Sequence, residues 1–311
     1  MAIKLGSTNF GSIYLGSTKI GQAYLGSVKV FGSNQPDPLN PLNLPAYTIR
    51  LRFTSGTTPT FSKGTATQVS SSPNVWDLTY QNPDWTSLVS WQSNLVEVLG
   101  ANSTGVTDMN NLFHECRNLT DVVLFDTSSA LNVSYMFCNT AVSTVPIYDT
   151  SNATSMIQML SNCPNLTTPP TLDTSRATTI RGLFALSSIT SVPSLNLSSV
   201  TGDGLASLFY KCTALTSIPY IAIPYGVTEI WDICSGCTSL QQLPNFSYPS
   251  SLTNVNYAFN GCVNAKYNIV STYNNLVNIS SITSHTRCFQ NCGSNTTSGA
   301  AELAQIPSDW K

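Results

Sequence analysis

The sequence predicts an α/β, β-rich repeat solenoid, with coils that each hold a short helix and a short strand, preceded by a small β cap and an N-terminal β-repeat segment. Three observations predict it: a ten-residue repeat in residues 1–32, a repeat of about 24 residues from Met109 to Cys292, and an alternating strand pattern, Tyr47-Thr48-Ile49-Arg50-Leu51-Arg52-Phe53, between them. Internal repeats come first because a missed period misassigns the whole fold.

The decapeptides read Leu5-Gly6-Ser7-Thr8, Leu15-Gly16-Ser17-Thr18 and Leu25-Gly26-Ser27-Val28, with Phe10, Ile20 and Val30 five residues after each Leu. Ile13 and Leu15, then Ala23 and Leu25, alternate with polar or aromatic neighbours, so each unit is expected to be one short strand and a glycine turn. Three such strands cannot bury a core in water. Residues 1–32 are therefore expected to multimerise or dock on another protein, through Leu5, Phe10, Tyr14, Leu15, Ile20, Tyr24, Leu25 and Val30. Residues 33–45, rich in Pro and Asn, form a linker because their prolines cannot continue a strand. Residues 46–105 carry Trp76, Trp85 and Trp91 and read as a small β-rich cap on the first coil; an independent binding module is the alternative.

The long repeat, assigned to 106–292, has apolar residues at i, i+3, i+4 and i+7. Met109, Leu112, Phe113 and Cys116 begin the series, and Leu205, Leu208, Phe209 and Cys212 repeat it. That spacing is one face of a short helix. Eight coils follow from it. Their third slot holds Phe113, Phe137, Leu160, Phe184, Phe209, Cys234, Phe259 and Phe289, a spine flanked in the fourth slot by Cys116, Cys163, Cys212, Cys237 and Cys262. Asp108, Asn132, Ser155, Thr179, Gly204, Asn254 and Ser284 precede the slots as helix N-caps, with Glu229 the exception. Apolar pairs ending in proline, such as Val142, Val145 and Pro146, predict a strand that feeds a turn. Residues 293–311 are left as a C-terminal tail.

The stretch Leu208-Phe209-Tyr210-Lys211-Cys212-Thr213-Ala214-Leu215-Thr216-Ser217-Ile218-Pro219 resembles the BspA-type (Treponema-type) leucine-rich repeat. Asp126-Thr127-Ser128, Asp149-Thr150-Ser151 and Asp173-Thr174-Ser175 resemble its Asp-Thr-Ser variant. Members are surface proteins implicated in adhesion, so the resemblance implies binding rather than catalysis. The decapeptides, such as Ile13-Tyr14-Leu15-Gly16-Ser17-Thr18, look like the amino-terminal part of fibre and appendage proteins of tailed gut phages. Together these imply a virion structural protein, a capsid or tail fibre or appendage expected to be a homotrimer: residues 1–32 would meet capsid or tail proteins, and the solenoid would meet host-surface glycan or protein. The alternative is a bacterial cell-surface adhesin of BspA type.

Composition narrows the partners. Charged residues make up 9% of the chain and the net charge is -2, which leaves no basic stripe for nucleic acid. No run of 18 apolar residues predicts a membrane span, and Met1-Ala2-Ile3-Lys4-Leu5-Gly6 lacks a secretory core, so synthesis in a host cytoplasm and residence in a virion are expected. No catalytic, cofactor or metal residues are assigned. His114, Glu115 and Cys116 are adjacent, but Cys116 falls on the buried face. Cys234-x-x-Cys237 would suit a redox pair or half a zinc site, yet Cys234 occupies the Phe slot. Asp126, Asp149 and Asp173 recur once per coil and suit either a calcium ladder or turns in which Asp accepts from its own backbone.

Overall fold

The computed structural model describes residues 39–311 and, ahead of them, the backbones of four strands: β1 (Ile13–Leu15), β2 (Thr18–Ile20), β3 (Ala23–Leu25) and β4 (Val28–Phe31). β1 pairs antiparallel with β2, Ile13 opposite Ile20, and β3 with β4, Leu25 opposite Val28. Each of these two units thus holds two strands rather than the one expected. Of the proposed docking residues, Leu5 and Phe10 lie outside the described residues, as do the side chains of Tyr14, Leu15, Ile20, Tyr24, Leu25 and Val30.

A five-stranded sheet follows, built from β5 (Thr48–Phe53), β6 (Thr65–Ser71), β7 (Asn74–Thr79), β8 (Leu95–Asn102) and β9 (Asp121–Val122), in the order β6-β7-β5-β8-β9. The alternation in β5 puts Ile49, Leu51 and Phe53 in the core. Arg50 on the other face makes a two-pronged ion pair with Asp77, at 2.6 and 2.8 Å. β6 is an edge strand, almost wholly exposed, in which Thr, Gln and Ser outnumber Ala66 and Val69, a mostly polar rim that discourages further strand pairing. The last pairing, β8 with β9, is parallel and ties the sheet to the long repeat.

The predicted α/β leucine-rich-repeat solenoid is not what the long repeat forms. Among the described residues the α-helices are α1 (Ile269–Val277) and α2 (Thr297–Ala304), so none of the seven repeats from Met109 to Cys262 contains one, and apart from three two-residue strands and isolated bridges that region is turns and irregular backbone. The physical reason lies in the backbone of each repeat. Positive φ recurs two and six residues after the first apolar slot: Asn111 and Glu115, Tyr135 and Asn139, Gln158 and Asn162, Gly182 and Leu186, Ser207 and Lys211. A left-handed residue in every four cannot sit inside an α-helix.

The hydrogen bonds follow from that alternation. In the layer beginning at Met109, the N–H groups of Leu112, His114 and Cys116 donate three residues back, to the carbonyls of Met109, Asn111 and Phe113. Those of Met109, Asn111, Phe113 and Glu115 donate sideways instead, to Asn132, Ser134, Met136 and Cys138 in the next layer, at 2.9–3.0 Å. The same four lateral bonds join Val133, Tyr135, Phe137 and Asn139 to the layer after that. Alternate N–H groups thus close tight turns or reach the neighbour, which leaves the buried backbone satisfied without helix or long strand.

The capping residues act in the same way, without helices to cap. Asp108 Oδ1 accepts from Asn110 N, Asn132 Oδ1 from Ser134 N, and Asn254 Oδ1 from Asn256 N, at 2.8–3.1 Å. These are turns closed by a side chain two residues back. The apolar pairs before the prolines are not strands either. The two-residue strands β10 (Ile221–Ala222) and β11 (Phe246–Ser247) pair in parallel and come after Pro219 and Pro244, because proline has no N–H to give a ladder.

One layer precedes the eight expected. Asp84 bridges in parallel to Asp108, and Trp85, Ser87, Val89 and Trp91 donate to Asp108, Asn110, Leu112 and His114. At the other end, α1, α2 and the last residues cover the stack. Glu302 Oε2 on α2 accepts from the first N–H groups of α1, Ile269 at 2.7 Å and Val270 at 3.1 Å, supplying the acceptor that a helix start needs. Trp310 stacks on His285 with ring centroids 4.2 Å apart, and its carbonyl accepts from Phe289 N.

Candidate functional site

The third-slot residues lie inside. Phe113, Phe137, Leu160, Phe184, Phe209, Cys234, Phe259 and Phe289 are all fully buried. Phe113 stacks on Phe137 with centroids 5.5 Å apart, Phe184 on Phe209 at 6.3 Å, and Phe259 on Phe289 at 5.6 Å. Leu160 and Cys234 interrupt the aromatic run. The thiols beside them take up backbone oxygens: Cys116 Sγ donates to Val89 O, Cys163 to Phe137 O, Cys212 to Phe184 O, Cys237 to Phe209 O and Cys262 to Cys234 O, at 3.0–3.3 Å. Thr140 and Ser187 hold the same slot and donate to Phe137 O and Phe184 O. The slot therefore wants a small donor, which explains why only Cys, Ser and Thr fill it from Cys116 to Cys262.

All nine cysteines are free and buried. Burial pushes the thiols of Cys116, Cys212 and Cys262 up to about 12 and that of Cys163 to about 11. Cys234 and Cys237 are raised by burial too, so neither is a ready thiolate. The adjacent trio splits: the Cys116 thiol is interior, while His114 and Glu115 reach the surface. Burial of its ring lowers the His114 pKa, against a smaller opposing pull from Glu115.

Each Asp-Thr-Ser has two jobs. The carboxylate oxygen Oδ1 of Asp126 accepts from the N–H and hydroxyl of Ser128, and Asp149 does the same with Ser151. Ser175 N donates to Asp173 Oδ1, and the Ser175 hydroxyl together with that N–H holds the Asp173 carboxyl below its usual range. Meanwhile the middle threonine latches layers together: Thr127 Oγ1 donates to Asp149 O, and Thr150 Oγ1 donates to Asp173 O at 2.9 Å while accepting from Asp173 N at 2.9 Å. Among the described residues no group of three or more His, Cys, Asp and Glu is placed to hold a metal ion. No helix there is long and apolar enough to cross a membrane.

Two surface features remain. One is a groove of about 670 Å³ between residues 192–198 and 219–224, lined by Val192, Pro193, Leu195, Pro219, Tyr220 and Ile221. The other surrounds Trp91, whose side chain is largely exposed although it sits at φ 66°. Its ring meets His114 edge to face at 5.3 Å, and His114 meets Tyr135 at 6.0 Å, so an aromatic row crosses three layers. A polar row lies beside it: Asn139 Nδ2 donates to Glu115 Oε1 at 2.7 Å, and Asn162 Nδ2 donates to Asn139 Oδ1. The cap assignment of residues 46–105 gives Trp91 no role of its own, whereas it stands in the first layer. The signal was present, since Trp91 stands 24 residues before Glu115 and in phase with it.

Residues 89–195 match the family model DUF285, described as a Mycoplasma protein of unknown function, a stretch shorter than half of the 311-residue chain. No curated protein and no solved structure matches the chain.

Proposed function

We propose that the chain is a surface-recognition protein, a fibre or appendage of a phage virion whose repeat region contacts host-surface glycan or protein. One observation carries the recognition reading. On a chain with few charges, Trp91, Tyr220 and Tyr225 stand largely exposed, Trp91 on a backbone held laterally by its bond to His114 O. Exposed aromatics on a rigid frame supply contact area with little ordering cost. The decapeptide resemblance supports the virion placement and docking through residues 1–32, with a trimer as the expected assembly. The second reading is a bacterial cell-surface adhesin, which the BspA-type resemblance of residues 208–219 supports.

Antibody raised against the full chain, applied to purified phage particles and to bacterial envelopes, separates these readings. Label on particle appendages is the expected result. Label confined to envelopes overturns the virion placement in favour of the adhesin.

A further inference from the structure

We propose that the hollow at the foot of Trp91 is a carbohydrate subsite that takes one uncharged pyranose ring against the indole face; this rests on the recognition reading above. The hollow, about 590 Å³, lies between the loop at 60–62 and the first layer, and its walls include Thr60, Ser62, Ser87, Ser90 and Gln92. These are hydroxyls and one amide; Phe61, Leu88 and Trp91 complete the lining, and no charged side chain takes part. A ligand that fits such walls is rich in hydroxyl groups and carries no charge of its own. Sugar rings meet that description, and their C–H faces pack on aromatic rings as other apolar surfaces do.

The site is held in shape before any ligand arrives. Gln92 Nε2 donates to Thr60 O at 2.6 Å and Lys63 Nζ to Thr86 O at 2.8 Å, clamping the loop onto the first layer. His114 props the indole edge-on, and Trp91 N donates to His114 O at 2.8 Å. The in-phase positions of later layers hold Glu115, Asn139, Asn162, Leu186, Lys211 and Gly236. The backbone there tolerates small or flexible residues, so the fold itself does not call for an exposed indole. A preset aromatic face above a polar, uncharged hollow is what ring-stacking recognition requires.

The test uses the full chain on a printed array of neutral bacterial-envelope and mucosal glycans, beside Trp91→Ala, Trp91→Phe and, at an exposed aromatic far along the repeat, Tyr267→Ala, with binding to intact bacterial cells measured in parallel. The expected result is binding to at least one neutral glycan, weakened about tenfold or more by Trp91→Ala, mostly kept by Trp91→Phe and unchanged by Tyr267→Ala. Circular dichroism and thermal unfolding of Trp91→Ala should match the parent, because the side chain is exposed. Equal glycan binding by Trp91→Ala overturns the subsite and leaves surface recognition standing. Cell binding without binding to any neutral glycan overturns the carbohydrate assignment alone. Binding to neither glycans nor cells overturns both.

Discussion

The two repeats in this chain close their hydrogen bonds in opposite ways. A decapeptide pairs with itself: Ile13 lies opposite Ile20 and Leu15 opposite Thr18, inside one unit. A 24-residue layer instead sends every second N–H of its apolar segment to the following layer, as Val133, Tyr135, Phe137 and Asn139 do to Ser155, Ile157, Met159 and Ser161. The first kind of unit closes its strand pairing within itself. The second is incomplete without a neighbour, so its stability is shared between adjacent layers, as in other stacked repeats.

The harshest trial of that contrast is Phe184→Ala. Phe184 is fully buried, lies almost parallel to Phe209, and both donates to and accepts from other groups through its backbone. Loss of so large a core side chain costs about 3–5 kcal/mol, read as a drop in the urea midpoint. If layers depend on each other, amide exchange rises in the Leu160 and Phe209 layers as well. A loss of protection confined to residues 180–187 would mean that each layer stands alone, as a hairpin does.

A gentler substitution cuts one connection between layers and leaves the packing intact. Thr150→Val keeps the shape of a buried side chain but removes the hydroxyl that serves both the carbonyl and the N–H of Asp173. Two hydrogen bonds between layers are lost, a cost of about 1–3 kcal/mol. Asp149→Asn should change stability by less than about 0.5 kcal/mol, because Asn keeps the Oδ1 acceptor. The chain already contains that exchange: Asn196 accepts from Ser198 N as Asp149 does from Ser151. Equal losses from both variants would place the stabilisation in the turn rather than between layers.

Much of the interior was legible in the sequence, and its conformation was not. The four apolar slots picked out residues that are buried, Phe113, Phe137 and Cys163 among them. Apolar residues at i, i+3, i+4 and i+7, however, are produced equally by a helix of 3.6 residues per turn and by two successive four-residue turns. What separates the two is the residue between the slots. Asn139, Asn162, Gly236, Gly261 and Asn291 recur at one phase, and Asn and Gly are the residues that accept a left-handed backbone most readily. The layer at Asp84 escaped notice because Gln92 stands where later layers hold Cys, Thr or Ser, and with it went the phase of Trp91.

Gly261 gives a smaller loss than Thr150 and the cleanest sign. It has φ 69°, and a Cβ built there would touch only the Cα and N of Gly236 at 3.7 Å, an ordinary contact, so backbone strain alone opposes a side chain. In a helix, Gly→Ala stabilises by about 1 kcal/mol. In a left-handed position the same change destabilises by about 1–2 kcal/mol, and a β-branched residue should cost more because its second branch crowds the backbone further. Gly261→Ala should therefore lower the urea midpoint and Gly261→Val lower it further, while Gly261→Asn falls nearest the parent, as Asn139 and Asn162 already occupy this phase. A midpoint raised by Gly261→Ala would restore the helix to these layers and remove the reason for their sideways hydrogen bonds.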